Sequence, residues 1–465
     1  MIDRSARLGE QGIPYLLAAF SLPAIVGMLA QAIYNVVDRV FVGRALGPNG
    51  IAGITVALPF MLVLLAFGML IGFGAAALVS LRLGEGQKDE AEQVLGNAVL
   101  LLAGVSVVIT VVSLAAMEPL VRLFGASDTV LPYARDYLHI IALGTVFQVF
   151  GFGLNAVIRG EGNPRVAMLT LLIGVVLNVI LAPVFIFGLR WGMRGAGLAT
   201  VLSQAVSAVW VLAHFLGGKS VLRLHLRSLR VQWRVAALIV AIGSPPFLMQ
   251  MAGSVMSSLL NNQLRVYGGD VAISVMGISF SVVMMIAMPI YGINQGAQPI
   301  VGYNYGAGKF DRVKKTLQTA VLAASTLTVA GFAVMMLFPA QVIQLFNRDD
   351  ALLAMGCRAM RLTVIMLPLI GFQVISASYF QAVGRPMWAM FLMLSRQVLL
   401  LIPAILIMPR FLGLDGIWLA IPTADFFSSL LTGICFFLEL RHLDERHAAA
   451  AGPAVISAGT PILIE

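Results

Sequence analysis

Charge is what this sequence lacks most. Lys, Arg, Asp and Glu together make up 11% of its 465 residues, against 60% hydrophobic. A soluble domain carries roughly 25% charge, because water must solvate its surface. A water-facing globule is therefore excluded, and the mean hydropathy of +0.95 agrees. Cysteine is also scarce. Cys357 and Cys435 both fall inside apolar runs, which predicts two free buried thiols and no disulfide. Acids number 21 against 30 bases, for a net charge of +9. Those bases sit between apolar runs and form no patch on a soluble domain, so nucleic acid is excluded as a partner. His139 is the one histidine well inside an apolar run. A membrane-embedded enzyme needs a paired constellation such as His-Glu-x-x-His, and this reading stays a remote alternative. No cofactor or metal site is read. The N-terminus has no short apolar core with a small-residue cleavage site, so the first long helix is expected to target the chain itself.

Long apolar runs are what the sequence has. Twelve are read, at about 15–44, 50–81, 91–117, 131–158, 165–188, 194–216, 235–264, 270–303, 313–338, 352–381, 387–408 and 414–439. Each approaches or exceeds the ~20 residues that a spanning helix needs. The 46 glycines fit this reading, since small residues let membrane helices approach closely.

The sequence also repeats itself at an offset of 222 residues. Pro23 returns as Pro245, Gly74-Ala75 as Gly296-Ala297, Gly84 as Gly306, Leu123-Phe124 as Leu345-Phe346, and Gly162 as Gly384. Six spans per half is an even number, so both halves enter from the same side and the repeat is parallel. The expected fold is an all-α integral membrane protein of twelve helices in two pseudo-symmetric six-helix lobes. Residues 1–216 form the first lobe and 235–440 the second, with a basic linker at 217–234 and a disordered tail at 441–465. Two membrane halves with a site between them is the common plan of secondary transporters.

Lys and Arg set the orientation. With both termini inside, inner segments hold 18 of them and outer loops 7, and all five lysines fall inside. The positive-inside rule then places both termini in the cytoplasm. The linker from Lys219 to Arg234 contains no acid and reads as a solvated loop beside lipid headgroups.

Several motifs carry little. Ala213-His-Phe-Leu-Gly-Gly-Lys-Ser220 approaches a phosphate loop, but Ala replaces the first glycine and the stretch ends a membrane helix. With no other nucleotide signature, energy is expected from an ion gradient. Gly84-Glu-Gly86 and Gly306-Ala-Gly308 are matched turns after the second and eighth spans.

Ionisable groups inside spans are expensive and suggest function. Asp38 and Asp425 are the clearest. Gln31, Asn35 and Asp38, spaced i, i+4, i+7, form one polar stripe on the first span. Asp38 also lies about 33 Å along a helix from Leu16, which leaves open an interfacial anchor beside Arg39. Asp425 reads either as a substrate contact or as a lobe-packing hydrogen-bond partner. Methionine is asymmetric: seven lie at or before Met193 and sixteen at or after Met249. Thioethers fill gaps but also make adaptable surfaces, so the second lobe is where varied apolar ligands could pack. Candidate substrate contacts are Gln31, Tyr34, Met249, Gln250, Met256, Met284, Met288, Gln295, Gln373 and Asp425.

Tyr34-Asn-Val-Val-Asp38-Arg-Val-Phe-Val-Gly43 resembles the first-helix signature of multidrug and toxic compound extrusion (MATE) transporters. Gly292-Ile-Asn-Gln-Gly-Ala-Gln-Pro-Ile-Val-Gly-Tyr-Asn-Tyr-Gly306 is similar to the second-half signature of the MepA-like bacterial branch, and Ala382-Val-Gly-Arg-Pro386 and Pro422-Thr-Ala-Asp425 fit the same branch. The resemblance spans about residues 13–440. It implies a monomeric antiporter that expels amphipathic, often cationic, compounds in exchange for protons or sodium ions. It also implies cation coupling through Asp38, Asn178 and Thr200, with Asn35 beside them on the stripe. One position departs from the pattern. The family's Asn-x-x-x-Asp-Pro reads Asn178-Val-Ile-Leu-Ala182-Pro183, so a second carboxylate is missing. Hard cations want several oxygen ligands and a compensating charge, and proton coupling by Asp38 alone becomes the simpler option. The alternative function is a lipid-linked sugar flippase of the same superfamily. That would need a strongly basic cavity, whereas the arginines mostly flank the spans.

Overall fold

A computed structural model describes the backbone of residues 6–218, 220–346 and 350–451. Lys219, Arg348 and the tail beyond residue 451 lie outside the described residues. Among those described the chain is helical, without strands. Among the described residues, nine helices are long and apolar enough to cross a membrane, and two bent pairs raise the number to eleven. The helix Ile13–Gly84 counts once among these, but it is two spans divided at Gly47, which makes twelve.

The repeat reappears as geometry. Helix Lys88–Ala115 matches Phe310–Leu337, and Thr145–Gly160 matches Leu367–Ala382, each at the 222-residue offset. Each of the last two helices is the second arm of a bent span, the bends being 57° and 45°. Gly86 and Gly308 both take positive φ, as do Gly162 and Gly384.

The breaks between first and second spans of each half match as well. Gly47 has φ 66° and ψ −157°, and Gly269 has φ 66° and ψ −163°. This region is essentially glycine-only, because a Cβ there strains the backbone. No neighbour stands within 4 Å of where either Cβ would be, so the strain is purely local. Gly47→Ala and Gly269→Ala should each cost about 1–3 kcal/mol of stability. Thermal unfolding in detergent checks this, and an unchanged melting temperature in both variants would remove the argument.

The chain divides into two compact units. Unit 1 holds residues 1–8 and 26–247, and unit 2 holds 9–25 and 248–465. Each unit therefore contains the opening segment of the other half's first span. In unit 1 that segment, 235–247, packs on the second span, where a Cβ on Gly243 would stand 1.7 Å from Leu70 O. In unit 2 the repeat-equivalent segment packs on the eighth span, where Gly296 meets Ser21 and Gly292 meets Ile25. Lys309 Nζ also donates to Gly9 O at 3.0 Å, and Arg312 Nη2 to Gln11 O at 2.6 Å.

Each unit exposes apolar side chains as a lipid-facing surface must. Val107, Val108, Val111 and Val112 form such a stripe on Lys88–Ala115. Unit 2 buries a core around Leu264, Val275, Met335, Met360, Ile405 and Trp418.

The basic linker is tied down. Arg223 N donates to Glu92 Oε1 at 3.0 Å, and Gln232 N to Asn97 Oδ1 at 2.8 Å. Ser220 Oγ donates to Glu161 Oε2, and His214 Nε2 stands 2.6 Å from Glu161 Oε1. The stretch has no acid of its own, so its partners come from the helix ends of unit 1. The last helix, Leu414–Ala451, runs past residue 440 into the segment expected as a disordered tail. Leu443 is buried there, and the alanine run that follows has high helix propensity.

Candidate functional site: a polar cluster in unit 1 and an ion pair in unit 2

Three spans of unit 1 bring their polar side chains together. Tyr34 Oη and Thr200 Oγ1 are 3.4 Å apart, and Asn178 Nδ2 donates to Thr200 Oγ1 at 3.2 Å. Thr200 in turn donates to Ala196 O at 3.1 Å, within its own helix. Asp38 lies one turn beyond Tyr34, is buried, and acts electrostatically on it. Its Oδ1 is buried with no hydrogen-bond partner among the described residues. A fourth span adds Tyr137, which is buried and interacts with Thr200, Tyr34 and Asp38.

Asp38, Tyr34, Asn178 and Thr200 are thus brought together as a group, with Tyr34 in the cluster rather than on a separate substrate surface. Tyr137 was missed by the sequence reading. Nothing in its local sequence separates it from other aromatic residues of a span, since its role comes from a tertiary contact. Gln31 and Asn35 are exposed and do not join the cluster, so the polar stripe splits along its length. Ala182 is fully buried one turn from Asn178.

The predicted substrate residues of unit 2 take several environments. Met249, Gln250, Met256, Met288 and Gln295 are half-buried, and Met284 is exposed. Met256 packs against the core of the unit. Gln373 is buried and donates to Ser428 Oγ at 2.5 Å, tying the tenth and twelfth spans. Asp425 is buried and pairs with Arg396, whose Nε lies 2.5 Å from Oδ1. Arg396 was visible in the sequence as a charge within the eleventh span, but its partner lies 29 residues away. An apolar groove lined by Leu369, Phe372, Phe426, Leu430 and Phe437 includes none of the predicted substrate residues.

The MatE family profile matches residues 23–184 and again 245–406, the same 222-residue offset. The chain belongs to the MatE family. It is 28% identical to the multidrug export protein MepA of Staphylococcus haemolyticus, over 93% of each chain. It is similar to a multidrug resistance MATE family transporter solved in an outward-facing conformation, with TM-score 0.88, 25% identity, and coverage of 95% of this chain and 99% of that one. A solved structure named protein A is 39% identical, with TM-score 0.87, covering 94% of this chain and 98% of that one. The two-lobe, twelve-helix plan read from the repeat is the plan of this MATE family member.

Proposed function

We propose that this chain is a secondary multidrug exporter of a bacterial inner membrane, with both termini cytoplasmic. It expels amphipathic, often cationic, compounds in exchange for protons. The observation that carries the coupling part is Asp38: a buried carboxylate within a membrane helix, with one oxygen unpartnered, beside the neutral groups Tyr34, Tyr137, Asn178 and Thr200. Neutral partners can accommodate either protonation state by turning hydroxyl and amide dipoles, and Arg39, the arginine that acts on the carboxylate, is exposed and stands outside the cluster. Asp38 takes a proton from the outer side, where the gradient supplies it, and returns it to the cytoplasm. Each state favours a different arrangement of the first span. Sodium is the weaker candidate because Ala182 offers no second charge. The half-buried methionines of unit 2 supply adaptable contacts for the cargo.

Everted vesicles incubated with a cationic dye, which an exporter drives into the lumen, test this reading. Proton and sodium gradients are imposed separately, and uphill dye movement is expected with the proton gradient alone. Movement driven by sodium alone would overturn the coupling assignment, and no movement under either would overturn the export assignment. The pocket argument has its own test. Met256→Ala and Met288→Ala should change the range of exported compounds more than the amount of protein in the membrane. An unchanged range in both would remove it.

A further inference from the structure

The Arg396–Asp425 pair of unit 2 is not explained by proton coupling at Asp38. Arg396 lies within the helix span Pro386–Leu412, about 15 Å from its start at ~1.5 Å per residue. That is near the middle of a hydrocarbon core ~30 Å thick. The Asp425 side chain is 2% exposed and that of Arg396 is 33% exposed. An arginine side chain that is one-third exposed at that depth does not face lipid. Charged groups there line bundle interiors or water-filled cavities. The carboxylate is the fully buried partner, and the arginine side chain is the partly exposed one.

The bond to Asp425 is made by Nε. The terminal nitrogens of a guanidinium are the fork that grips carboxylates and other oxyanions in bidentate fashion. Arg396 sits in a π-helical turn, Ser395–Leu401. Such turns widen a helix, redirect its side chains and occur often at functional sites. The Gln397 amide stands 3.3 Å from where a Gly253 Cβ would be, so the residue after Arg396 packs closely on the seventh span.

The first repeat supplies a control. The positions 222 residues earlier are Gly174 and Ser203. There a Cβ on Gly174 would lie 2.8 Å from Ser207 Oγ, and the helices close together without any charge. Packing of this helix pair therefore does not require an ion pair, and burying one costs desolvation that only good geometry offsets.

We propose that Arg396, held by Asp425, is a specificity-determining residue that binds the anionic group of a zwitterionic amphipathic substrate. This rests on the export reading above. The oxyanion takes the guanidinium fork while the apolar body packs against neighbouring side chains of unit 2.

A matched dye pair tests it: a cationic rhodamine ester and the zwitterionic free acid of the same dye. The readout is the ratio of free-acid to ester export in everted vesicles, normalised to protein in the membrane. Arg396→Gln should lower that ratio about tenfold or more, as expected for loss of a charge-assisted contact. Arg396→Lys should lower it less, since the charge stays and the fork goes. The double variant Arg396→Gln/Asp425→Asn removes the uncompensated carboxylate and should keep the lowered ratio. An unchanged ratio in both the single and double variants overturns the proposal. So does a ratio restored in the double variant, because the unpaired Asp425 would then be the cause. Wild-type export of the ester alone overturns this proposal and leaves the export reading standing. Wild-type export of neither dye overturns both.

Discussion

Asp38→Asn is expected to reach the membrane at wild-type level and to lose uphill efflux, falling to the rate of membranes without the protein. The substitution keeps shape and hydrogen-bonding capacity but cannot titrate. Within the cluster Asp38 acts on Tyr34 and Tyr137, and Tyr34 leads on to Thr200 and Asn178; none of these four changes charge in the working pH range. A proton-driven cycle thus has no substitute within this cluster. Downhill, gradient-independent dye movement should survive better than uphill movement, since the substrate contacts proposed in unit 2 are untouched. Wild-type uphill rates in Asp38→Asn would reduce Asp38 to an interfacial anchor and move coupling elsewhere. The companion change is Ala182→Asp. Ala182 is fully buried, so a carboxylate there is destabilising unless a cation pairs with it. Its melting temperature should fall in choline chloride and recover in sodium chloride, while wild type should not distinguish the two salts. Equal melting in both salts would show that a second carboxylate near Asn178 does not build a sodium site.

The sequence carried some of this in plain view, for identifiable reasons. A repeat preserves where helices start, so matched residues such as Gly84 and Gly306 predicted matched elements, and the helix bounds agree at the 222-residue offset. Asp38, Asn178 and Thr200 could be grouped because the family resemblance joined positions on three spans. Periodicity alone could not have grouped them. It put Gln31, Asn35 and Asp38 on one face, but burial changes along the helix axis, and only the last of the three is enclosed. Tyr137 and the Arg396–Asp425 pair depend on contacts between spans, which no local pattern records. The exchange of the segments 9–25 and 235–247 between the units was equally invisible. Hydrophobic runs mark a span but not which neighbours it packs against along its length. Gly74, Gly243 and Gly296 were the available trace of that exchange, and among 46 glycines nothing local set them apart.

Gly243→Ala should be the most damaging single change in unit 1. A Cβ on Gly243 would sit 1.7 Å from Leu70 O and 2.6 Å from Leu70 C. On the same interface, a Cβ on Gly74 would sit 2.0 Å from Ile239 O. These obstacles are backbone atoms of a neighbouring helix, so no rotamer change relieves them. The helices must separate by well over an ångström, and close small-residue contact is a main source of attraction between helices in lipid, where the hydrophobic effect is lacking. Separation also loosens Phe67 from Phe247, whose ring centroids are 5.1 Å apart on the same two helices. Overpacking a tight core costs about 1–3 kcal/mol and sometimes more, and here the backbone itself must move. The expected result is little or no monodisperse protein after detergent extraction. Gly253→Ala is the contrast, because its new Cβ would meet only the Gln397 amide at 3.3 Å, the end of a flexible side chain. That variant should extract and melt nearly as wild type does. Size-exclusion profiles of the two, from membranes of equal expression, decide the matter: a normal monodisperse peak for Gly243→Ala would show that 235–247 does not pack on the second span as closely as described.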